Sequence, residues 1–143
     1  MRGYSAIGLS NPKTPVNVGS VLRAAACYDA SMVAFTGRRY RQAATDTNKS
    51  WRHSPLLHVE SLEDVIPYGA IPVAVDLVDG ATPLPEYEHP ERAFYIFGPE
   101  DGTLGESVLS WCLHRVMVPT RHCMNLAATV NVILYDRLAK SVR

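Results

Sequence analysis

The chain has 143 residues, 47% hydrophobic and 20% charged, which suits one globular domain over residues 1–143 and excludes a disordered polypeptide. Fourteen basic residues balance fourteen acidic ones, so net charge makes no argument for nucleic acid as a partner. The longest apolar stretches, such as Ala24–Cys27 and Ile71–Val75, are too short to span a bilayer. The start, Met1-Arg2-Gly3-Tyr4, lacks the apolar run of a signal peptide, and cytoplasmic residence is the expectation.

Tyr4–Leu9 alternates and runs into Asn11-Pro12, which predicts a strand ending in a loop. Val18–Tyr28 is rich in Ala and Val and predicts a buried helix with Asn17 as its N-cap. Met32–Phe35 predicts a short strand closed by Thr36-Gly37. From Arg38 to His53 the chain carries Arg38, Arg39, Arg41, Lys49 and Arg52 against one acid, Asp46. This segment reads as a long loop, either a solvated face or a local site for phosphate. Ser61 with an acid three residues on resembles a capping box and predicts a short helix. Ile71–Leu77 and Ala93–Phe97 are near-continuous apolar runs, as strands covered on both faces require. Between them lies a Pro-rich connector, Pro83–Pro90. A helix over Gly105–Leu113, a strand over Arg115–Val118 and a closing helix over Leu126–Leu138 complete the chain. Strands alternating with helices predict an α/β domain with a mainly parallel sheet.

Cys27, Cys112 and Cys123 are an odd set without repeated short spacing, which suits reduced thiols better than disulfides. Cys112, His114, His122 and Cys123 do not have a usual zinc spacing, so no metal is expected. His122–Cys123 as a nucleophile pair and Glu100-Asp101 as paired carboxylates fail because sequence neighbours diverge. No Walker A or Gly-x-Gly-x-x-Gly fingerprint is present.

Three polar loops remain, each after a predicted strand, where ligands of parallel α/β sheets bind. The first runs from Asn11 through Asn17 and Gly19 to Arg23. Gly19 suits a close approach of chains, and an Arg amid apolar residues is expected to be functional or salt-bridged. The second, Phe97 to Gly105, has three glycines that permit unusual dihedrals and exposed amides. The third, Val118 to Ala128, enters a helix through Pro119, Cys123 and Asn125, and Asn125 has the chemistry of a cap.

In this order the loops resemble the three motifs of the SpoU (TrmH-like) family of SPOUT methyltransferases. Asn11, Asn17, Gly19 and Arg23 match the first motif. Gly98, Glu100 and the turn to Leu104 match the second; Pro119 and Cys123-Met124-Asn125-Leu126 match the third. The family's usual Ser is replaced by Cys123, a weaker hydrogen-bonding group. The resemblance covers nearly the whole chain and is greatest to single-domain members, which include enzymes of the tRNA wobble nucleotide.

The resemblance implies a SPOUT-type α/β fold with helices on both faces of the sheet and a carboxyl-terminal trefoil knot. It further implies S-adenosylmethionine bound by Leu77, Gly98, Val118, Cys123 and Leu126, and methyl transfer to a ribose 2′-hydroxyl of RNA, with tRNA as the substrate. Arg23, Asn17, Glu100 and Asn125 would form the catalytic set, with Arg38, Arg39, Arg41, Lys49 and Arg52 holding RNA. A homodimer would place Arg23 of one subunit near the cofactor of the other. Three alternatives stay open: a non-catalytic RNA-binding protein on the same fold, a methyltransferase acting on a base nitrogen, and a plain α/β binding module.

Overall fold

The computed structural model describes residues 3–40 and 55–141. Arg41, Lys49 and Arg52 lie outside the described residues. Seven strands form one sheet: β1 (Tyr4–Leu9), β2 (Val33–Phe35), β3 (Leu56–His58), β4 (Ile71–Val75), β5 (Thr82–Pro83), β6 (Arg92–Phe97) and β7 (His114–Met117). Their spatial order is β3-β2-β1-β6-β4-β7-β5, and every ladder is parallel. β1 and β6 pair over their whole lengths at the centre, from Tyr4 with Arg92 to Leu9 with Phe97. Both lie under cover on each face, so β6 reads as an apolar run, and β1, whose sequence reads as alternating, is nonetheless buried from Ser5 to Leu9.

Two helices cover one face. α1 (Pro15–Cys27) buries Val18, Val21, Leu22, Ala24 and Ala25, and α3 (Leu126–Ser141) buries Leu126, Ala127, Val130, Ile133 and Leu134. The helices pack on each other and on Ile7, Leu9, Tyr95 and Phe97. The second face is thinner. Leu62 in a 3-10 turn (Leu62–Val65), Leu104, and Leu109 of α2 (Glu106–Leu109) cover Ala6, Ala34, Ala74, Phe94 and Ile96. Small residues in the strands bring that thin layer close to the sheet.

Several local expectations change. α1 starts three residues before the predicted point, with Thr14 in the cap position, so Asn17 sits inside the first turn and is not the N-cap. Pro15 makes the early start favourable, because its fixed φ suits the first helical position. Thr14 makes no side-chain cap bond. The Glu100 carboxylate replaces it, accepting from the Lys13 and Thr14 amides at 3.0 Å each. That carboxylate also lies at the positive end of the helix.

Ser61 makes no side-chain cap bond either, and only the 3-10 turn follows it. The predicted Gly105–Leu113 helix shrinks to α2. Trp111 and Cys112 donate to carbonyls three residues back, tightening the chain so that Leu113 can donate to Pro72 beside β4. The Pro-rich connector contains β5 and a 3-10 turn at Leu84–Glu86. No strand was expected at Leu56–His58.

Candidate functional site

The carboxyl ends of β1, β6 and β7 release the three loops on one side of the sheet, and that of β4 releases Asp76 and Leu77 beside them. Phe97 and Val75 are register partners there, and β7 continues the row with Val116 beside Val75. Beyond this row lies a cavity of about 150 Å³. Its walls include Val75, Asp76, Leu77 and Phe97–Glu100 on one side and Val118, Thr120, Cys123, Met124, Leu126 and Thr129 on the other. Leu77, Gly98, Val118, Cys123 and Leu126, the five residues expected to line a cofactor site, all line it. Leu77 is 54% exposed, an uncovered apolar side chain at the cleft.

Hydrogen bonds fix the walls to one another. Asp76 follows β4 and accepts from its neighbour Leu77 and from Leu104, both at 2.8 Å. It thereby ties the β4 loop to the end of the glycine-bearing turn. Sequence reasoning missed Asp76. Its signal was an acid directly after an apolar strand, beside Leu77.

Gly98, Gly102 and Gly105 were expected to adopt unusual dihedrals, and none has a positive φ. Close packing is what Gly98 provides. A Cβ there would lie 3.2 Å from the Leu104 amide, so the turn folds back against it. Gly19 was expected to allow close approach, yet a Cβ there would meet nothing within 4 Å. Gly37 does need to be glycine: its φ is +83°, and a Cβ would run into the Asn11 side chain.

The first and third loops meet through two amides. Asn125 caps α3, its Oδ1 accepting from Ala127 at 2.9 Å and from Ala128 at 3.2 Å. Its Nδ2 donates to Asn17 Oδ1 at 3.0 Å. Asn17, Glu100 and Asn125 therefore converge around the start of α1. Arg23 does not join them. It lies on the exposed stripe of α1 that includes Val16, Ser20 and Cys27, and among the described residues it has no hydrogen bond or ion pair. A structural salt bridge, the alternative to a functional Arg23, is not seen among the described residues, and the Glu100 carboxylate is engaged by two backbone amides.

Arg38 is exposed. Arg39 donates through both terminal nitrogens to Asp101, at 2.8 and 3.0 Å, and to the Asn11 carbonyl at 2.7 Å. The fork ties the second loop to the first. Hydrogen bonding to Arg39 holds the Asp101 carboxyl below its usual range and raises Arg39 in turn. The thiols differ in setting: Cys123 is exposed on the cleft wall, while burial pushes the half-buried Cys112 up to about 11. Among the described residues, no cluster of three or more His, Cys, Asp or Glu is placed to hold a metal, and no helix is long and apolar enough to cross a membrane.

The arrangement, a parallel sheet with its cleft between loops at the carboxyl ends, is that of an α/β domain, and the family and structural matches make it the SPOUT type. The chain belongs to the SpoU rRNA Methylase family, whose model matches residues 5–135. Among solved structures it is similar to the SpoU methyltransferase AviRb from Streptomyces viridochromogenes, with a TM-score of 0.87 and 17% identity over 99% of this chain. AviRb in complex with AdoMet gives 0.86 at 18% identity over 99% of this chain. This chain spans only about three fifths of those proteins, 61% and 62%. A structure described as addressing 2-OH methylation of C/U34 on tRNA gives 0.84 at 24% identity, covering 100% of this chain and 94% of that one. No curated protein sequence matches this one.

Proposed function

We propose that the chain is an S-adenosylmethionine-dependent RNA methyltransferase that methylates a ribose 2′-hydroxyl, acts on tRNA and works as a homodimer. The character of the cleft carries this reading. Its lining combines apolar side chains with the carboxylates of Asp76 and Glu100 and, among the described residues, contains no Lys, Arg or His. Such a lining suits a cationic sulfonium beside an apolar adenine and disfavours a polyphosphate.

Leu77, Val118 and Leu126 would pack the cofactor, with Gly98 and Cys123 presenting backbone to it. When bound, the cofactor would supply an electrophilic methyl group for the ribose 2′-oxygen, whose hydroxyl proton leaves to water. Arg23 stabilises the negative charge developing on that oxygen. Its outward position on α1 supports delivery to a partner subunit's cleft rather than to its own. Asn17 and Asn125, joined to each other, position the ribose, and Glu100 holds the start of α1. The seating of β7 between β4 and β5 supports the trefoil knot.

Titration calorimetry with S-adenosylmethionine and its demethylated product tests the cofactor. Saturable binding is expected, lost when Gly98 becomes a bulky residue that collides with Leu104. No binding at millimolar cofactor would sink the enzyme reading. Methyl transfer from labelled cofactor to total tRNA, followed by nuclease mapping, then distinguishes ribose from base products.

A further inference from the structure

Beside the cleft the sheet carries an aromatic pair that the proposed chemistry does not use. The row of register partners at the carboxyl ends runs from Phe97 to Leu9, Phe35 and His58. His58 therefore stands three strands from the cleft wall, about 14 Å at the usual strand spacing. Its ring lies flat on Phe35, with centroids 4.7 Å apart and planes within 6°. Phe35 is buried and is braced edge-on by Tyr40 at 5.2 Å. His58 Nε2 lies 2.7 Å from the Gly37 carbonyl. A carbonyl only accepts, so Nε2 carries the proton and the ring is held at two points. Yet His58 is exposed. An exposed flat ring, stacked on Phe35 and pinned at its edge, has lost its rotational freedom before any partner arrives.

We propose that His58 is a stacking platform for a nucleobase of the RNA substrate, next to the methylated nucleotide rather than part of it. This rests on the RNA methyltransferase reading above. The 14 Å offset is too far for the base of a nucleotide whose ribose sits at the cleft, and it suits a neighbour along an unpaired strand. Unpaired bases are the parts of RNA that stack on aromatic and imidazole rings. Arg38, exposed and next to Gly37 in the chain, offers a cation to a phosphate of that neighbour. The site selects an unpaired neighbour, a specificity element separate from catalysis.

The test uses the full chain and a short single-stranded oligoadenylate, with binding followed by anisotropy across a salt series. His58→Ala should weaken binding by about tenfold or more, the size of one lost base stack. His58→Phe, which keeps a flat ring on Phe35, should bind within about twofold of the original. The salt slope should be the same in all three proteins, because no phosphate contact changes. S-adenosylmethionine affinity should be equal as well, a readout that collapse of the loop would move. Equal binding by His58→Ala overturns the platform, as does a His58→Phe protein as weak as His58→Ala. So does a slope shallower by about one unit, which would make His58 a phosphate contact. An original chain that binds S-adenosylmethionine but not oligoadenylate overturns the platform alone. One that binds neither overturns the methyltransferase reading with it.

Discussion

Arg23 faces outward with no partner among the described residues, and a guanidinium in that position is fully available to a ligand or another subunit. Arg23→Ala should lower methyl transfer by about two orders of magnitude, the usual loss for one preorganised electrostatic group. Thermal stability and cofactor affinity should stay unchanged, because the side chain contacts neither the core nor the cleft. Near-normal turnover would remove Arg23 from the chemistry. Arg23→Lys should also fail, since an ammonium lacks the planar fork. At Cys123 the expectation concerns access. A maleimide should modify this exposed thiol, and saturating S-adenosylmethionine should slow that modification, as read by peptide mass spectrometry. Cys123→Ser should retain activity, because the cleft's hydrogen bonds run through Asp76, Glu100 and Asn125.

The elements were legible in proportion to their burial. β4 and β6 announced themselves because strands in a covered parallel sheet are near-continuous apolar runs, while β1 was read from its alternation and the stop at Asn11-Pro12. β3 has two exposed residues of three and β5 is two residues including a proline, so neither edge strand had a pattern to read. The loops of the site were legible as motifs, whereas the bonds between them were not. Glu100 reaches residues 86 and 87 positions away, and no periodicity records such a partner. Arg23 lies on the exposed stripe of α1, so the cost of an unpaired buried charge does not bear on it; that cost applies to Arg137, on the buried stripe of α3 one turn after Leu134. Among the loop contacts, the Arg39–Asp101 fork is exposed and screened, so it contributes little to stability. Asp101→Asn should therefore leave the melting temperature unchanged while releasing Arg39. RNA affinity should then rise and its salt slope steepen by about one phosphate contact. Unchanged affinity would leave Arg39 as a tie between loops only.

At the scale of the molecule, the face opposite the cleft end of α3 is held by a buried polar chain. Arg137, 5% exposed, donates to the carbonyls of Pro90 and Glu91 at 2.6 Å each and to Tyr95 Oη at 3.1 Å. Tyr95 and His89 Nδ1 lie 2.7 Å apart, and His89 Nε2 donates to Asp136, which also pairs with Lys140. Burial pushes the Tyr95 hydroxyl up to about 12 and the His89 imidazole below its ordinary value, the latter against the pull of Asp136. A histidine depressed in the folded state takes up protons more readily when unfolded. Its contribution is thus complete above about pH 6.5 and is lost as pH falls through the lower folded value. The melting temperature should fall on acidification below pH 6.5, and His89→Gln should flatten that dependence. Arg137→Met should cost about 3 kcal/mol or more in denaturant unfolding, because several carbonyls lose a charged donor. The assembled molecule should scatter light as about twice the 15.8 kDa chain. Mixing inactive Arg23→Ala subunits with subunits blocked at Gly98 should restore part of the activity. Mixed dimers without activity would confine each site to one chain.

The placing of β7 has a consequence for how the protein comes into being. β7 occupies the slot between β4 and β5, strands that leave the ribosome well before it. A nascent chain can zip β1, β2 and β6 together while that slot stands vacant, but half of the cleft wall, from Val118 to Thr129, follows β7 in synthesis. The cleft is therefore among the last parts to exist. Its closure waits on contacts between distant segments, the kind of pairing that makes folding slow. Refolding monitored by cofactor binding should lag behind refolding monitored by helix and sheet signals, because the cleft is complete only in chains that have finished the final insertion.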